Sequence, residues 1–221
     1  MDYDLIASAY DKQIKDDLNK DKLELETVQL TGIGNPQNWR LLDIGCGSGL
    51  QVAYLAERFP EMQSLIGIDD SENLIKIARE KVKDERCRFE QGSFMELPVS
   101  DNNFDFVYSR YTLHYTNELE TPFKEIERVC KPGGNVFIMV VHPVLEMFKK
   151  SSKDYNSREI AQFNPQSTSI EVKHVTHKIE DYINAAIKSG LHLINIEERF
   201  GGQSAQAGFN IPSILILRLK K

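Results

Sequence analysis

The chain has 221 residues, and its 27 lysines and arginines against 33 aspartates and glutamates give a formal net charge of −6. Hydrophobic residues make up 41% and charged residues 27%, as in an ordinary globular protein. The length predicts one domain, or one domain with an insertion. The acidic balance argues against a protein whose main work is to grip nucleic acid or an anionic membrane.

Cysteine usage and the terminal sequence bear on the compartment. The cysteines Cys46, Cys87 and Cys130 are odd in number and unpaired in spacing, which fits neither a disulfide framework nor a zinc pattern. Residues 1–17 lack the features of a signal peptide, and the longest apolar run, 136–141, is far shorter than the roughly 20 residues of a membrane helix. The sequence therefore predicts a cytoplasmic protein.

Strand-like and helix-like segments alternate along the chain. Short apolar runs predict strands at 40–45, 64–69, 87–91, 104–109, 135–141, 191–197 and 213–219. Helical spacing, with N-terminal and C-terminal signals, predicts helices at 50–59, 71–82, 122–129 and 179–189. This alternation predicts an α/β fold with a doubly wound, mostly parallel, seven-stranded sheet and helices on both faces. Because no helix separates the last two strands, we expect the last strand to be antiparallel.

Two segments stand outside the βα alternation. Residues 1–30 are expected to form an N-terminal helical segment. Residues 142–177 are polar, dotted with aromatics and weakly periodic, so we expect a lid-like insertion there. The whole of 1–221 is expected to be a single domain.

The segment Asp43-Ile44-Gly45-Cys46-Gly47-Ser48-Gly49 follows the first predicted strand and opens the first predicted helix. Its glycines let a ligand lie against bare peptide groups, at the edge where open α/β sheets bind ligands. The G-x-G-x-G spacing differs from the G-x-G-x-x-G of a dinucleotide loop, and no Gly-Lys-Ser/Thr of a P-loop follows. A tight turn that binds no ligand is the alternative interpretation.

This segment resembles the first motif of class I S-adenosylmethionine-dependent methyltransferases. The segments 66–71, 91–98, 104–109 and 131–134 resemble later motifs of that family, in the same order. The opening Tyr3-Asp4…Tyr10-Asp11 resembles the start of small-molecule and ubiquinone-type members. The resemblance covers most of the chain and implies a Rossmann-like methyltransferase domain with S-adenosyl-L-methionine as its cofactor.

The resemblance also implies which residues bind the cofactor. Asp69 would accept hydrogen bonds from both ribose hydroxyls, because a carboxylate can accept two at once. Asp43 would hold the methionine ammonium through a water, or merely cap the glycine turn. The other expected cofactor-binding residues are Tyr10, Gly45, Cys46, Gly47, Asp70, Gly92, Ser93, Phe94 and Ser109. Ser93 stands where many relatives have aspartate, so its contact with adenine departs from the family pattern.

Histidines near the ligand-binding edge are the candidates for acid–base work. His114 follows the fourth predicted strand and His142 ends the fifth, so either is a candidate general base or substrate contact. His114 has the alternative role of an ordinary helix-face residue. His174 and His177 stand three apart, but no third ligand is spaced to join them, so no metal is expected.

The implied reaction is in-line methyl transfer to a small-molecule acceptor, whose nucleophile (oxygen, nitrogen or carbon) stays open. A protein that binds the cofactor without transferring methyl is an alternative. A nucleotide-dependent oxidoreductase is a further one, disfavoured by the glycine spacing. We expect a small-molecule substrate, no nucleic acid or membrane partner, and a monomer or homodimer.

Overall fold

The computed structural model describes residues 3–17, 22, 24–163, 172–200, 205–206 and 209–221. The strands are β1 (Arg40–Ile44), β2 (Ser64–Asp69), β3 (Cys87–Gln91), β4 (Phe104–Arg110), β5 (Cys130–Val141), β6 (Ile160–Phe163), β7 (Val172–Val175), β8 (His192–Arg199), β9 (Ala205–Gln206), β10 (Phe209–Asn210) and β11 (Ile214–Lys220). The α-helices are α1 (Ala7–Asp17), α2 (Leu50–Arg58), α3 (Glu72–Lys81), α4 (Glu120–Val129), α5 (Pro143–Met147) and α6 (Ile179–Ser189). Short 3₁₀ turns occupy Tyr3–Leu5 and Leu113–Tyr115, and a π-helix occupies Leu25–Gln29.

The central sheet has the order β3-β2-β1-β4-β5-β11-β8. The pairs from β3 through β5 are parallel, and Leu42 of β1 lies between Ile66 of β2 and Val107 of β4. β11 is antiparallel to both β5 and β8. The prediction of a mostly parallel, seven-stranded sheet with an antiparallel last strand is confirmed.

Helices cover both faces of this sheet, and each face has its own hydrophobic core. Leu42 and Ile44 of β1 pack into one core, and Leu41 packs into the other, because successive strand residues point to opposite faces. The first core is closed by the apolar faces of α4 and α6, and the second by those of α2 and α3. Burial of each such leucine contributes about 1.5–3 kcal/mol, which fixes the strand ends that carry the site.

Local end signals act as the sequence predicts. Ser71 caps α3 by accepting a hydrogen bond from the Leu74 amide at 3.2 Å. Gly190 ends α6 with a φ of 96°, a left-handed conformation that glycine adopts without strain.

The fifth strand differs from its prediction, because β5 begins at Cys130 rather than at Asn135. Its register against β4 jumps from Phe104 opposite Cys130 to Phe106 opposite Asn135. Residues 131–134, predicted as the turn before the strand, therefore form a bulge within it. The C-terminal residue Lys221 donates its amide to the Gly134 carbonyl at 3.1 Å, which ties this bulge down.

Residues 142–177 contain more regular structure than the sequence indicates. α5 follows β5 directly, and β6 pairs with β7 in an antiparallel hairpin. The weak periodicity of the sequence reflects the shortness of these elements.

The N-terminal segment packs on α3, beside the carboxyl end of β2. The Asp4 carboxylate accepts hydrogen bonds from Ser71 Oγ at 2.5 Å and from the Asn73 amide at 3.0 Å. Asp11 forms an ion pair with Lys81. Within the described part of the chain, no helix combines the length and apolar character needed to span a bilayer.

Candidate functional site

A cavity opens at the carboxyl ends of β1, β2 and β4, where a doubly wound sheet places its ligands. It encloses about 610 Å³ of empty space, its open mouth included. The residues that line it are Tyr3, Tyr10, Ile44, Gly45, Gly47, Ile68, Asp69, Asp70, Leu74, Gly92, Phe94, Arg110, Tyr111, Thr112 and Tyr115.

The floor of the cavity is the glycine loop between β1 and α2. Gly45 has a φ of 76°, and a Cβ there would lie 1.9 Å from the Thr112 Oγ1. Gly47 also has a positive φ, 55°, and the Tyr10 ring lies across it. Only glycine fits at Gly45, since a side chain would meet both backbone strain and a steric clash. The loop therefore presents bare peptide groups to the cavity.

Asp69 ends β2 and is held in place by backbone donors. Its Oδ2 accepts from the Gly47 amide at 2.9 Å, and its Oδ1 accepts from the Ser71 amide at 3.0 Å. Burial raises the pKa of Asp69 to about 6, against the opposing effect of these hydrogen bonds. Because each carboxylate oxygen has two lone pairs, both oxygens can still accept a hydrogen bond from a ligand hydroxyl.

Asp43 lies on β1 directly beneath the loop and is buried, outside the lining of the cavity. Burial raises the pKa of Asp43 to about 7, while the positive charge of Arg110 acts in the opposite direction. A carboxyl group with this pKa is half ionised near neutrality, so a nearby cation would draw it into the ionised form.

Arg110 ends β4 and brings a buried positive charge to the cavity wall. Its side chain is 10% exposed and forms an ion pair with Glu26, whose side chain is 9% exposed. The Gln51 amide oxygen faces the same guanidinium, with Nε at 3.2 Å, in the amide orientation that satisfies both groups. The next residue, Tyr111, has a φ of 54°, a rare conformation for a bulky residue that occurs at functional sites.

Tyrosines form the wall opposite the glycine loop. The Tyr3 ring meets the Tyr10 ring edge-on at 5.3 Å and the Tyr115 ring edge-on at 5.9 Å. The Tyr3 hydroxyl donates to the Tyr115 hydroxyl at 2.7 Å. Burial raises the pKa of all three phenols, so they are neutral at physiological pH. The wall is thus aromatic and uncharged.

Seven of the predicted cofactor residues meet at this cavity: Tyr10, Gly45, Gly47, Asp69, Asp70, Gly92 and Phe94. Cys46 points away from it, because its Sγ lies 2.8 Å from where a Cβ on Gly67 would be, between β2 and the loop. Only the backbone of Cys46 belongs to the loop. Ser93 is exposed, and its Oγ accepts from the Met95 amide at 3.1 Å. Ser109 is buried in β4, outside the lining.

Neither of the two candidate general bases is among the residues that line the cavity. His114 is buried in the 3₁₀ turn against Tyr115, and burial holds its pKa well below the ordinary value. His142 caps α5: its Nδ1 accepts from the Val144 amide at 3.1 Å, and its Nε2 lies 2.9 Å from Glu198 Oε1. A ring nitrogen that accepts carries no proton, so the assigned tautomer donates from Nε2 to Glu198. Both nitrogens of His142 are engaged in structure.

Of the two histidines spaced three apart, His174 bonds within the insertion and His177 bonds it to the body of the protein. His174 Nε2 bonds to Glu146 Oε1 at 2.5 Å, and His177 Nε2 bonds to the Thr116 carbonyl at 2.8 Å. Among the residues placed in the structure, no cluster of three or more histidine, cysteine or carboxylate side chains is arranged to hold a metal.

The sequence interpretation gives no role to Arg110 or Tyr111. Tyr3 and Tyr115 were not identified as cavity residues. The available signal was position, since Arg110 ends a strand at the ligand-binding edge and Tyr3 begins the Tyr-Asp opening. The partners Glu26 and Gln51 carried no signal in the sequence.

Comparison with known proteins points to one family. Residues 42–138 match the family model described as "Methyltransferase domain". The demethylmenaquinone methyltransferase of Lactococcus lactis subsp. lactis is 36% identical over 163 residues, which cover 69% of this chain. The matched part spans 62% of that relative's length.

Solved structures share the fold at low sequence identity. A S-adenosylmethionine dependent methyltransferase from Mesorhizobium loti superposes with a TM-score of 0.74 at 20% identity, covering 90% of this chain and 98% of the other. A SAM dependent methyltransferase from Aquifex aeolicus gives a TM-score of 0.64 at 19% identity, covering 95% and 97%. At these identities the likeness establishes the fold alone.

Proposed function

We propose that the chain is a class I S-adenosylmethionine-dependent methyltransferase, and that it transfers a methyl group from S-adenosylmethionine to a small aromatic acceptor of quinone type. The observation that carries the proposal is the cavity, where a side-chain-free glycine loop lies beside the anchored Asp69 carboxylate. Tyr3, Tyr10 and Tyr115 give the cavity one aromatic side.

The residues present fit the cofactor. Asp69 would accept the ribose hydroxyls with the lone pairs that its backbone donors leave available. Gly92 and Phe94, which line the cavity after β3, would lie beside the adenine, as the resemblance implies. Gly45 and Gly47 would let the chain of the cofactor lie against the backbone, and Asp43 lies beneath the expected place of its ammonium.

The bound cofactor supplies an activated methyl group on a sulfonium, whose departure as a neutral thioether needs no acid. The protein therefore has to align the acceptor with the methyl and exclude water. Tyr3, Tyr10 and Tyr115 would do both, because their packed rings close one side of the cavity. An aromatic face is also attractive to a cationic sulfonium, by roughly 0.5–2 kcal/mol.

The choice of a quinone-type acceptor rests on two supports. The tyrosine wall offers flat, apolar surfaces with neutral hydroxyls at one end, which suit an aromatic ring that bears oxygen atoms. The Lactococcus lactis relative is named for demethylmenaquinone as its substrate. The nucleophilic atom of the acceptor stays open in this proposal.

Neither candidate histidine is required by the proposal. His114 is neutral because burial lowers its pKa, and His142 uses both nitrogens in structure. An acceptor that is already deprotonated at the working pH, as an acidic phenol is, needs no protein base.

A cytoplasmic location and a small-molecule partner remain part of the proposal, in line with the unpaired cysteines.

Isotope transfer tests the proposal directly. The purified protein is incubated with methyl-labelled S-adenosylmethionine and a panel of reduced naphthoquinols, benzoquinols, catechols and aliphatic amines. We expect label in a quinol or catechol product, identified by mass, and none in the amines. A Gly45→Ala protein serves as the matched blank, because the substitution blocks the loop.

Two results would redirect the proposal. Label in an amine alone would contradict the aromatic acceptor and keep methyl transfer. Tight cofactor binding without labelled product from any acceptor class, including a total metabolite extract, would favour a protein that binds the cofactor without transferring methyl.

A further inference from the structure

Arg110 carries a charge that the proposed function does not use. Of the described residues that line the cavity, it is the one cation, beside the acidic Asp69 and Asp70. A buried guanidinium is costly unless it is paired, so its position at the mouth of the glycine loop needs a reason.

Three elements converge on this guanidinium. β4 carries Arg110, the π-helix carries Glu26, and the first turn of α2 carries Gln51. The strained Tyr111 stacks beside it, with the Arg110 Cζ 5.5 Å from the ring centroid. Such a setting fixes the guanidinium more firmly than a simple ion pair would, which is the arrangement expected of a group that receives a ligand.

The neighbouring contacts leave donors for a further anion. A guanidinium has five N–H donors in a rigid fork. Glu26 is bonded to Nη1, and the Gln51 oxygen faces Nε and Nη2. Since each Nη carries two hydrogens, Nη1 and Nη2 can each offer a second hydrogen, in the geometry that matches a carboxylate.

The position of Arg110 in the sheet indicates which anion its guanidinium binds. Ser109, the residue before Arg110, is paired with Ile44, which immediately precedes Gly45. Arg110 therefore stands over the start of the glycine loop, at the end of the strand that pairs with the one carrying Asp43. A cation and an anion side by side complement a zwitterionic amino acid, with its carboxylate and its ammonium.

We propose that Arg110 binds the α-carboxylate of the methionine moiety of the cofactor, and that Glu26 holds Arg110 for this contact; the inference rests on the proposed function. Glu26 belongs to the N-terminal segment, 84 residues away in sequence. The contact thus joins the segment that covers the cavity to the charged end of the ligand.

A ligand that lacks only the carboxylate isolates this contact. S-adenosyl-3-thiopropylamine keeps the adenosine, the sulfur and the ammonium of S-adenosylhomocysteine. Isothermal titration calorimetry of both ligands gives an affinity ratio for each protein. For the wild type we expect a preference of about 30-fold to 300-fold for S-adenosylhomocysteine, the usual worth of a desolvated, bidentate charged contact.

Variants then assign the preference to Arg110. Arg110→Gln is expected to lower the affinity for S-adenosylhomocysteine to nearly that for the thiopropylamine, whose own affinity changes less than about threefold. Arg110→Lys keeps the charge and loses the fork, so it retains an intermediate preference and serves if the glutamine variant does not fold. Glu26→Gln removes the charged partner that holds the guanidinium, so it should lower the preference about threefold or more.

A matched control removes a different arginine. Arg128 pairs with Glu125 and Asp101 outside the cavity, so Arg128→Gln should leave the ratio of affinities unchanged. A wild-type ratio near one, or a ratio unchanged in the folded Arg110 variant, would overturn the inference while leaving cofactor binding intact. Failure of both ligands to bind the wild type would instead refute the proposed function.

Discussion

The Asp69 carboxylate lines the cavity and is fixed by the amides of Gly47 and Ser71, and each of its oxygens keeps a lone pair for a ligand. Replacing it with alanine removes two charge-assisted acceptors and leaves the ribose hydroxyls poorly paired. We expect Asp69→Ala to weaken S-adenosylhomocysteine binding by about 2–4 kcal/mol, measured by calorimetry.

The fold should survive this change, because Asp69 lies at a strand end rather than in a core. Asp101→Ala is a suitable control, since that carboxylate is 66% exposed and pairs with Arg128 outside the cavity. Normal cofactor affinity in a folded Asp69→Ala protein would remove Asp69 from the ribose site.

Asp43 links the site to the pH dependence of stability. Burial raises its pKa from 3.8 to about 7, so the folded protein holds a proton that the unfolded chain has lost between these values. The free energy of unfolding is therefore reduced progressively as the pH rises from about 4 to about 7, and the full cost is present above 7.

Asp43→Asn removes this titration and keeps the shape of the side chain. We expect the stability of Asp43→Asn relative to the wild type to increase from pH 5 to pH 7 and to level off above about pH 7.5. Urea unfolding of the free proteins at a series of pH values measures the difference. A difference that is constant across this range would contradict the assignment of a buried, titrating carboxyl group.

At the scale of elements, the loop between β1 and α2 depends on Gly45 for two separate reasons, its φ of 76° and its contact with Thr112. Gly133 provides a control with a φ of 77° and no atom near the added Cβ. Gly133→Ala should lower stability by about 1–2 kcal/mol through backbone strain alone. Gly45→Ala should cost more and abolish cofactor binding.

Thermal unfolding and calorimetry on the same two proteins separate strain from steric blockage. Equal loss of stability in both variants, with cofactor binding kept by Gly45→Ala, would mean that the loop has room to move and is not the cofactor cradle.

The insertion at 142–177, predicted as a cover, is tied together by one internal contact and bonded to the rest of the protein by another. Glu146 bonds to His174, and His177 bonds to the Thr116 carbonyl. Lys150 donates to the carbonyls of Asp154 and Tyr155 within the insertion. Opening is therefore expected of its outer part and of the N-terminal segment, rather than of the whole insertion.

Hydrogen exchange with and without S-adenosylhomocysteine tests this expectation. Amides of 143–147 should exchange slowly in both states, because α5 is anchored through buried side chains. Amides of 3–12 and 151–163 should become protected when the ligand binds, since closure over a dry site accompanies binding. Strong protection of these segments in the free protein, unchanged by ligand, would show a rigid structure.

The strands and helices of the βα units follow from local patterns. β2 and β3 have the bounds that the sequence predicts, and α6 ends at the residue before its glycine. The bulge at 131–134 could not be predicted from local patterns, because it depends on pairing with β4 and on a hydrogen bond from Lys221. A local sequence pattern does not indicate which distant residues a segment will contact.

For the whole molecule, the topology explains why the site could be predicted in part. Parallel strands end at one edge, so Gly45, Asp69 and Gly92 meet there once the sheet order is known. Arg110 and Glu26 meet only because the N-terminal segment folds across that edge. Their pairing is a tertiary contact, and neither residue type nor spacing predicts it.

Our central proposal is that the edge shared by β1, β2 and β4 forms one binding site for S-adenosylmethionine. The most direct test is calorimetric titration of the wild-type protein with S-adenosylmethionine, S-adenosylhomocysteine and NADH. We expect one binding site per chain, micromolar affinity for S-adenosylmethionine and S-adenosylhomocysteine, and no heat of binding with NADH. Binding of NADH, with neither methyl donor nor product bound, would contradict it.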